Sequence, residues 1–476
     1  MQQPQAQPAE KFSEKFTDHA VNGVNPTEQT ADFVAAHRTE DVRQLALKAK
    51  RVEGLDLPLA LDQIAGWQIA CKKLPQWASC EGIIYPPHIS MEQCSSQFTA
   101  QYKSEIAQTL LTPAVTVRAR MSDSAESDNQ TTKSEPQLSD SPESDTQETK
   151  TGVRMSDSSE SDTLVARSSM VDLTGGFGVD FSYLARGFSQ ATYVERQRHL
   201  CDLAEHNMAA LGLDQARIVC GDGVEYLRQM DPVDFIYLDP ARRDEHGSRT
   251  YAIEDCTPNV LELRDLLLAK SQCTLVKLSP MLDWRKAVAD FDGTVREVHI
   301  VATGNECKEL LLVLGQQVHE EPSAPRVFCV NDNQRIDYDS AAYTQGLRIG
   351  GKPLPEAKNY LYEPNASIMK AGCFDLVEER FGVTQVGPSS HLFVSATPVA
   401  DFPGRGFAIE AIGGMNKKDI KRLLNGTKQA NIAVRNFPLT APQLRKKLKL
   451  ADGGPVYLFG TTMQGCDHVL LRTSKI

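Results

Sequence analysis

The sequence predicts an α/β protein: a mostly parallel sheet wrapped by helices and ending in an antiparallel hairpin, a helical domain before it, and small α+β modules after it. Three observations predict this class. From about residue 168, strand-like apolar runs ("SSMVDLTG", "QATYVER", "ARIVCGD", "VDFIYLD", "CTLVKLS") alternate with helical patterns, which is the rhythm of a parallel sheet with crossover helices. Two further runs in "VREVHIVATGNECKELLLVLG" are separated by Thr-Gly-Asn and read as a hairpin. Before all of this, "TADFVAAHRTEDVRQLALKAK" and "LALDQIAGWQIACKKLPQWAS" carry apolar residues at helical spacing, with Thr39 or Asp41 as caps.

The remaining segments follow from composition. A chain of 476 residues is too long for one ordinary core, so several domains are expected. Residues 1–26 are polar and read as a disordered start, and 27–118 as the helical domain. Residues 119–167 are rich in Ser, Asp, Glu, Thr and Gln and almost lack large apolar side chains. Such a segment cannot bury enough surface to offset its chain entropy and is expected to be a disordered linker. It contains a short repeat, "RMSDSAESD" from Arg120 and "RMSDSSESD" from Arg154, with no apolar face that would let copies stack. The α/β domain occupies 168–316. Beyond it, shorter mixed patterns suggest α+β modules at 317–402 and 403–476.

Bulk properties narrow the class. Hydrophobic content of 41% with 24% charge describes a soluble globular protein. No apolar run is long enough to span a bilayer, and the start "MQQPQAQPAEKF" lacks the apolar stretch of a secretory signal, so a cytoplasmic protein with no membrane partner is expected. The 11 cysteines contain no CxxC pair, which suggests neither a disulfide framework nor a zinc ribbon, and no metal is expected. A net charge of -11 argues against a polyanion partner only if the charge is evenly spread, and it is not.

In an open α/β sheet ligands bind beyond the carboxyl ends of the strands. Four strand ends are unusual. In "VDLTGGFGVDF", Gly175, Gly176 and Gly178 lie between a strand pattern and a helical one, where glycines let the backbone approach a ligand. Glu195, in "TYVERQ", stands where an acid accepts hydrogen bonds from both ribose hydroxyls of a bound nucleoside. Asp222, in "IVCGDGVEYL", is placed either to accept from an adenine amino group or simply to cap the next helix. The fourth end is Asp239-Pro240, in "DFIYLDPARRDEH". Each signal alone is weak, and their succession is the informative feature.

Asp172 with the glycine loop, Glu195, the helix "LCDLAEHNMAALGL", Asp222 and "DFIYLDP" together resemble a class I S-adenosylmethionine-dependent methyltransferase over roughly 168–316. The similarity is closest to the RNA-directed branch, which includes guanine exocyclic-amine methyltransferases of ribosomal RNA and trimethylguanosine synthases. A dinucleotide dehydrogenase is disfavoured, because "GGFG" lacks the GxGxxG spacing. The resemblance implies a Rossmann-like sheet and S-adenosyl-L-methionine as cofactor. Gly175, Gly176 and Gly178 would approach the cofactor, Glu195 its ribose and Asp222 its adenine. Asp172 would fix the loop or meet the methionine amine.

The exocyclic-amine enzymes of this fold carry an acid-Pro-Pro-aromatic stretch after the fourth strand. This chain keeps Asp239 and Pro240 and has Ala241, Arg242 and Arg243 instead of the second proline and the aromatic. Asp239 remains able to orient an amine or take its proton, with the Pro240 carbonyl as second acceptor. Stacking on the base then falls to Tyr251, Trp284, Phe177 or the Arg242 plane. Arg242 and Arg243 either clamp a phosphate or pair with Asp244, Glu245 or Asp283. Lys277 and Asp283 in "LVKLSPMLDW", and Asn305 and Glu306 in the hairpin turn, are read as structural.

The tail extends the resemblance. "LYEPNASIMKAGCFDLVEERFG" and the stretch from "FAIEAIGGMNKKDIKRLL" onward resemble ferredoxin-like and THUMP-like modules that follow such a domain in a bacterial methyltransferase family of poorly defined substrate. THUMP modules bind RNA, so ribosomal or transfer RNA is the implied partner. Lys417, Lys418, Lys421, Arg422, Lys428, Arg435, Arg445, Lys446, Lys447 and Lys449 face one acid, Asp419, between 417 and 449. A surface of that kind neutralises phosphates. Two other readings share these features: an RNA-binding protein that keeps the fold without activity, and a methyltransferase for a small molecule or protein.

Overall fold

The computed structural model describes residues 26–48, 52–111, 168–242, 253–315, 324–343, 354–355, 358–465 and 467–476. The expected disordered start, apart from Pro26, and the linker at 119–167 lie outside the described residues. Contacts divide the chain into Met1–Ile236 and Tyr237–Ile476, a division that falls within the fourth strand.

The first unit opens with six helices: α1 (Glu28–His37), α2 (Val42–Lys48), α3 (Leu57–Lys73), α4 (Pro75–Ser79), α5 (His88–Gln93) and α6 (Gln97–Leu111). Thr27 caps α1 through its side chain, and Asp41 accepts the Gln44 amide at 2.9 Å at the start of α2, so the first apolar pattern is two helices broken near Asp41. Val34, Leu45, Ala60 and Ile64 form a core shared by α1, α2 and α3.

The strands that follow alternate with helices: β1 (Ser169–Asp172), α7 (Val179–Leu184), β2 (Gln190–Glu195), α8 (Arg198–Ala210), β3 (Ala216–Cys220), α9 (Gly223–Gln229) and β4 (Val233–Leu238). Their order in the sheet is β4-β1-β2-β3. β1 pairs parallel with β2, and β2 with β3. The chain therefore reverses its direction of growth between β1 and β4, the switch point at which such sheets bind ligands. Asp234 accepts the Ser169 amide at 2.8 Å and fixes the two strand starts side by side.

The helices α1–α6 fall in the same unit as these strands. Trp77 donates through Nε1 to Ser182 Oγ at 3.1 Å, and Asn207 exchanges hydrogen bonds with the Ile84 backbone at 2.9 Å in both directions. Lys103, fully buried, reaches Asp180 Oδ1 at 3.1 Å, and Ser95 donates to the other oxygen at 2.8 Å.

In the second unit, the two-residue β5 (Ala241–Arg242) pairs with β6 (Cys256–Thr257). Then come α10 (Val260–Lys270), β7 (Ser271–Leu278), α11 (Trp284–Asp290), β8 (Val295–Thr303) and β9 (Glu306–Gly315). β9 runs antiparallel between β7 and β8, the expected hairpin. It does not end the sheet. β10 (Arg326–Asn331) adds parallel to β8, and β11 (Gln334–Asp339) adds antiparallel to β10, both from residues that the sequence reading placed in the next module.

The carboxyl-terminal modules share one seven-stranded sheet, ordered β13-β14-β12-β15-β18-β17-β16. It is built from β12 (Tyr360–Pro364), α12 (Ala366–Ala371), α13 (Phe374–Phe381), β13 (Thr384–Gln385), β14 (Phe393–Ser395), β15 (Gly404–Gly413), α14 (Lys417–Leu424), β16 (Asn431–Arg435), α15 (Ala441–Leu448), β17 (Val456–Thr462) and β18 (His468–Lys475). Alternation gives it two apolar faces: Phe459 and Leu471 enter one core cluster, Leu458 and Leu470 the other. Leu423 of α14 and Leu444 and Leu448 of α15 enter that second cluster, so both helices cover the same face.

Candidate functional site

In the first unit the glycine loop is held from below and from the side. Asp172, 1% exposed at the end of β1, accepts the Thr174 amide at 2.9 Å and so turns the chain out of the strand. Gly175 donates to the Val194 carbonyl at 2.9 Å and lies against the Tyr193 ring, where a Cβ would sit 2.2 Å from a ring carbon. The Tyr193 hydroxyl donates to the Gly176 carbonyl. Gly178 caps α7 with φ of 80°, a left-handed conformation that glycine adopts without strain. At Gly176, with φ of 53°, a Cβ would meet only the loop's own Thr174 carbonyl at 3.6 Å, which leaves the backbone face open.

Glu195 joins this loop to the next strand end. One carboxylate oxygen accepts the Gly176 amide at 3.0 Å and the other the Gln197 amide at 2.9 Å. Glu195 is the register partner of Cys220, and its carbonyl accepts the Gly221 amide at 2.9 Å. That brings Asp222 alongside. Asp222 Oδ1 caps α9 by accepting the Val224 amide at 2.9 Å and the Glu225 amide at 3.1 Å. The capping role is thus the one observed, and it uses one oxygen. Gly223 closes the arrangement: a Cβ there would lie 2.2 Å from the Leu173 carbonyl, so only glycine lets the start of α9 approach the end of β1. The sequence reading missed Gly223 and Tyr193, although both lie within two residues of Asp222 and Glu195.

The helices α1–α6 reach the same loop. Phe177, half-buried, packs against Trp77 with ring centroids 5.3 Å apart. Asp180, held by Lys103 and Ser95, is the second residue of α7.

In the second unit, Asp239 follows directly on β4, and Pro240 behind it is buried. Lys277, near the carboxyl end of β7, donates to Asp239 Oδ2 at 2.6 Å and stands 4.0 Å from Glu309 Oε1. The sequence suggests a structural role for Lys277, whereas its contact is with the candidate catalytic acid. The visible signal was a lysine inside the apolar run "TLVKLS". Asp283 caps α11, as expected of a structural residue. Trp284 is 5% exposed, donates to the Ala371 carbonyl at 3.2 Å and carries the Arg285 guanidinium over its ring, which removes it as a stacking partner. Asn305 accepts the Ala366 amide at 2.8 Å. Tyr251 and Arg243 lie outside the described residues, as does the Arg242 side chain.

The basic stretch divides into used and open cations. Arg435 donates to the buried Glu363 at 2.7 Å, as Arg405 does. Arg422 pairs with Asp419 at 3.2 Å, and Arg445 pairs with Asp452, so Arg445 is not the open cation the sequence suggested. Lys417, Lys418, Lys421, Lys428, Lys446, Lys447 and Lys449 are exposed and have no acidic partner among the described residues.

Residues 360–403 match the model of a ferredoxin-like domain and residues 404–475 that of a THUMP-like domain. A crystal structure from Porphyromonas gingivalis W83, provisionally named a methyltransferase, is similar over 94% of this chain and 97% of that one, with 29% identity and a TM-score of 0.72. The chain has a methyltransferase fold. It carries the ferredoxin-like and THUMP-like domains at its carboxyl end. An S-adenosylmethionine-dependent methyltransferase from Agrobacterium tumefaciens matches at 18% identity over 32% of this chain and 56% of that one, TM-score 0.25. A ribosomal RNA methylase from Streptococcus thermophilus matches at 15% over 32% and 88%, TM-score 0.24. No curated protein matches the chain. Among the described residues of this methyltransferase fold, no helix is long and apolar enough to cross a membrane, and no group of three His, Cys, Asp or Glu is placed to hold a metal.

Proposed function

We propose that the protein is an S-adenosylmethionine-dependent RNA methyltransferase of the cytoplasm. The observation that carries the reading is the continuous arrangement of Gly176, Glu195 and Asp222 in the first unit. An open glycine backbone, a carboxylate bonded to it at 3.0 Å, and a second carboxylate with one oxygen spent on a helix cap suit a nucleoside with a charged tail. Glu195 would hold the ribose hydroxyls, Asp222 the adenine amine, and the backbone of Gly175, Gly176 and Gly178 the methionine portion. Asp172 fixes the loop that makes this possible. The cofactor, when bound, supplies an electrophilic methyl group on a sulfonium.

For the transfer itself, Asp239 would accept a hydrogen bond from the target amine and then its proton, with the Pro240 carbonyl as a second acceptor. By taking that proton, Asp239 would leave the nitrogen lone pair available to the methyl group. No covalent intermediate with the protein is needed; a lone pair held in line with the methyl suffices. RNA is favoured as substrate by the THUMP-like module and by the seven open lysines on and around α14 and α15, which cover a single sheet face. Arg242 and Arg243 would add contacts to a phosphate of the target nucleotide.

Calorimetry with S-adenosylmethionine, on wild type and Asp222→Ala, tests the cofactor half. Binding that weakens in the variant is expected, and no binding by wild type leaves an RNA-binding protein with the fold but no activity. Mass mapping of ribosomal and transfer RNA from a deletion strain tests the substrate half. A missing methyl group is expected, and intact modification throughout would point to a small-molecule or protein substrate.

A further inference from the structure

We propose that Lys277 positions Asp239, and that Glu309 holds Lys277 in turn. The inference rests on the reading of Asp239 as proton acceptor for an RNA target. Lys277 is the penultimate residue of β7, flanked by the buried Val276 and Leu278, and Glu309 is the fourth residue of β9, followed by the buried run Leu310 to Leu314. Because β7 and β9 are antiparallel, with Lys277 paired to Leu311, the carboxyl end of one and the amino end of the other meet at one edge of the sheet. Asp239 begins just beyond the carboxyl end of β4.

Side-chain exposures are 11% for Lys277, 35% for Asp239 and 5% for Glu309. One mostly buried ammonium thus serves two carboxylates, the buried Glu309 and the part-exposed Asp239. Taking such charges out of water can cost more than their attraction returns, so a buried lysine held between two acids is weak evidence for a stabilising role. Glu309 is too far from Asp239's partner to be more than a second anchor, at 4.0 Å, whereas the 2.6 Å bond to Asp239 is a full charge-assisted contact. With one oxygen of Asp239 fixed by Lys277, the direction of the other is fixed as well. A carboxylate that must take a proton from a target held in line with a methyl donor needs that constraint. Lys277 is therefore a positioning residue that acts through Asp239.

Purified full-length chain is incubated with tritiated S-adenosylmethionine and RNA from a strain that lacks the protein. For Lys277→Met, kcat is expected to fall about 100-fold, the scale of a small misplacement of a reacting group. Cofactor affinity and the KM for RNA stay unchanged, and Lys277→Arg recovers part of the rate. Lys277→Met/Glu309→Gln removes the charge of the buried acid as well, leaving only the part-exposed Asp239 without its cation, and keeps the test alive if the single variant does not fold. Folded variants that transfer label at the wild-type rate overturn the inference alone. So does a rate loss matched by an equal loss of cofactor affinity, which a merely structural lysine would give. A wild-type chain that labels no RNA overturns the RNA reading, and the inference with it.

Discussion

The Gly176 amide donates to Glu195 Oε2 at 3.0 Å, so the loop after the first strand is tied by a charged bond to the acid that ends the second. This one contact makes two sequence signals, each unremarkable alone, into a single object. It also means that Glu195 has two tasks: it shapes the loop, and in the proposed function it meets the ligand.

Glu195→Gln keeps an acceptor for the Gly176 amide and removes the charge. Loss of a charged hydrogen bond is worth about 1.5 to 3 kcal/mol, which corresponds to roughly tenfold to 100-fold weaker binding. Titration calorimetry with S-adenosylmethionine reads this directly. An unchanged Kd would exclude Glu195 from the cofactor site.

Gly175→Ala would press a Cβ to 2.2 Å from the Tyr193 ring, which is fully buried and cannot swing away. Overpacking of this kind costs about 1 to 3 kcal/mol. Gly221→Ala is the control: a Cβ there meets nothing within 4 Å, and the change should stay within about 0.5 kcal/mol. Urea unfolding of both variants measures the contrast, and equal midpoints would contradict the packing described.

Lys103 and Asp180 form a pair in which the lysine is 0% exposed and the aspartate 11%. Lys103→Met leaves a buried acid without its cation and is expected to destabilise the protein by about 3 to 5 kcal/mol. Lys103→Met/Asp180→Leu should return most of that loss. Thermal melting of the three chains decides the matter, and a harmless single variant would show that the pair does not anchor α6 to α7.

The strand ends were legible because parallel strands announce themselves as apolar runs, and turns as glycine and aspartate. Glu195 and the glycine loop could be read for that reason. What was not legible depends on partners distant in sequence. Lys277 and Asp239 are 38 residues apart, and no local pattern says that one reaches the other. Trp77 and Phe177 are 100 positions apart, and no local pattern says that their rings meet. The additional strands β10 and β11 were assigned to the following module because a strand pattern does not state which sheet it joins. Arg445 and Arg435 look open in the sequence because their acids, Asp452 and Glu363, lie outside residues 417–449.

Asp419 gives the basic face a pH dependence. Its carboxyl is held below the ordinary 3.8 by the Gly414 amide, then by Asn416 and Arg422. A depressed folded value contributes stability above the unfolded value and loses it as pH falls below 3.8. The start of α14, which carries Lys417 and Lys418, is therefore expected to loosen in that acidic range. Amide resonances of Gly414 and Asp419 followed against pH should shift together, and Asp419→Asn should abolish the shared transition. Independent shifts would separate the carboxylate from the loop.

Lys446 and Lys447 are exposed in the last turn of α15 without acidic partners among the described residues, whereas Arg445 beside them is paired with Asp452. Each lysine that neutralises a phosphate releases counterions, so log K falls with log salt by about 0.7 per contact on single strands and about 0.9 on duplexes. Lys446→Gln/Lys447→Gln is expected to reduce the magnitude of that slope by roughly 1.4 to 1.8. Arg445→Ala should leave it nearly unchanged, because its charge is already answered. Filter binding of transfer RNA over a series of salt concentrations gives both slopes. If the paired arginine mattered and the two lysines did not, the phosphate-binding face would have to be sought away from α14 and α15.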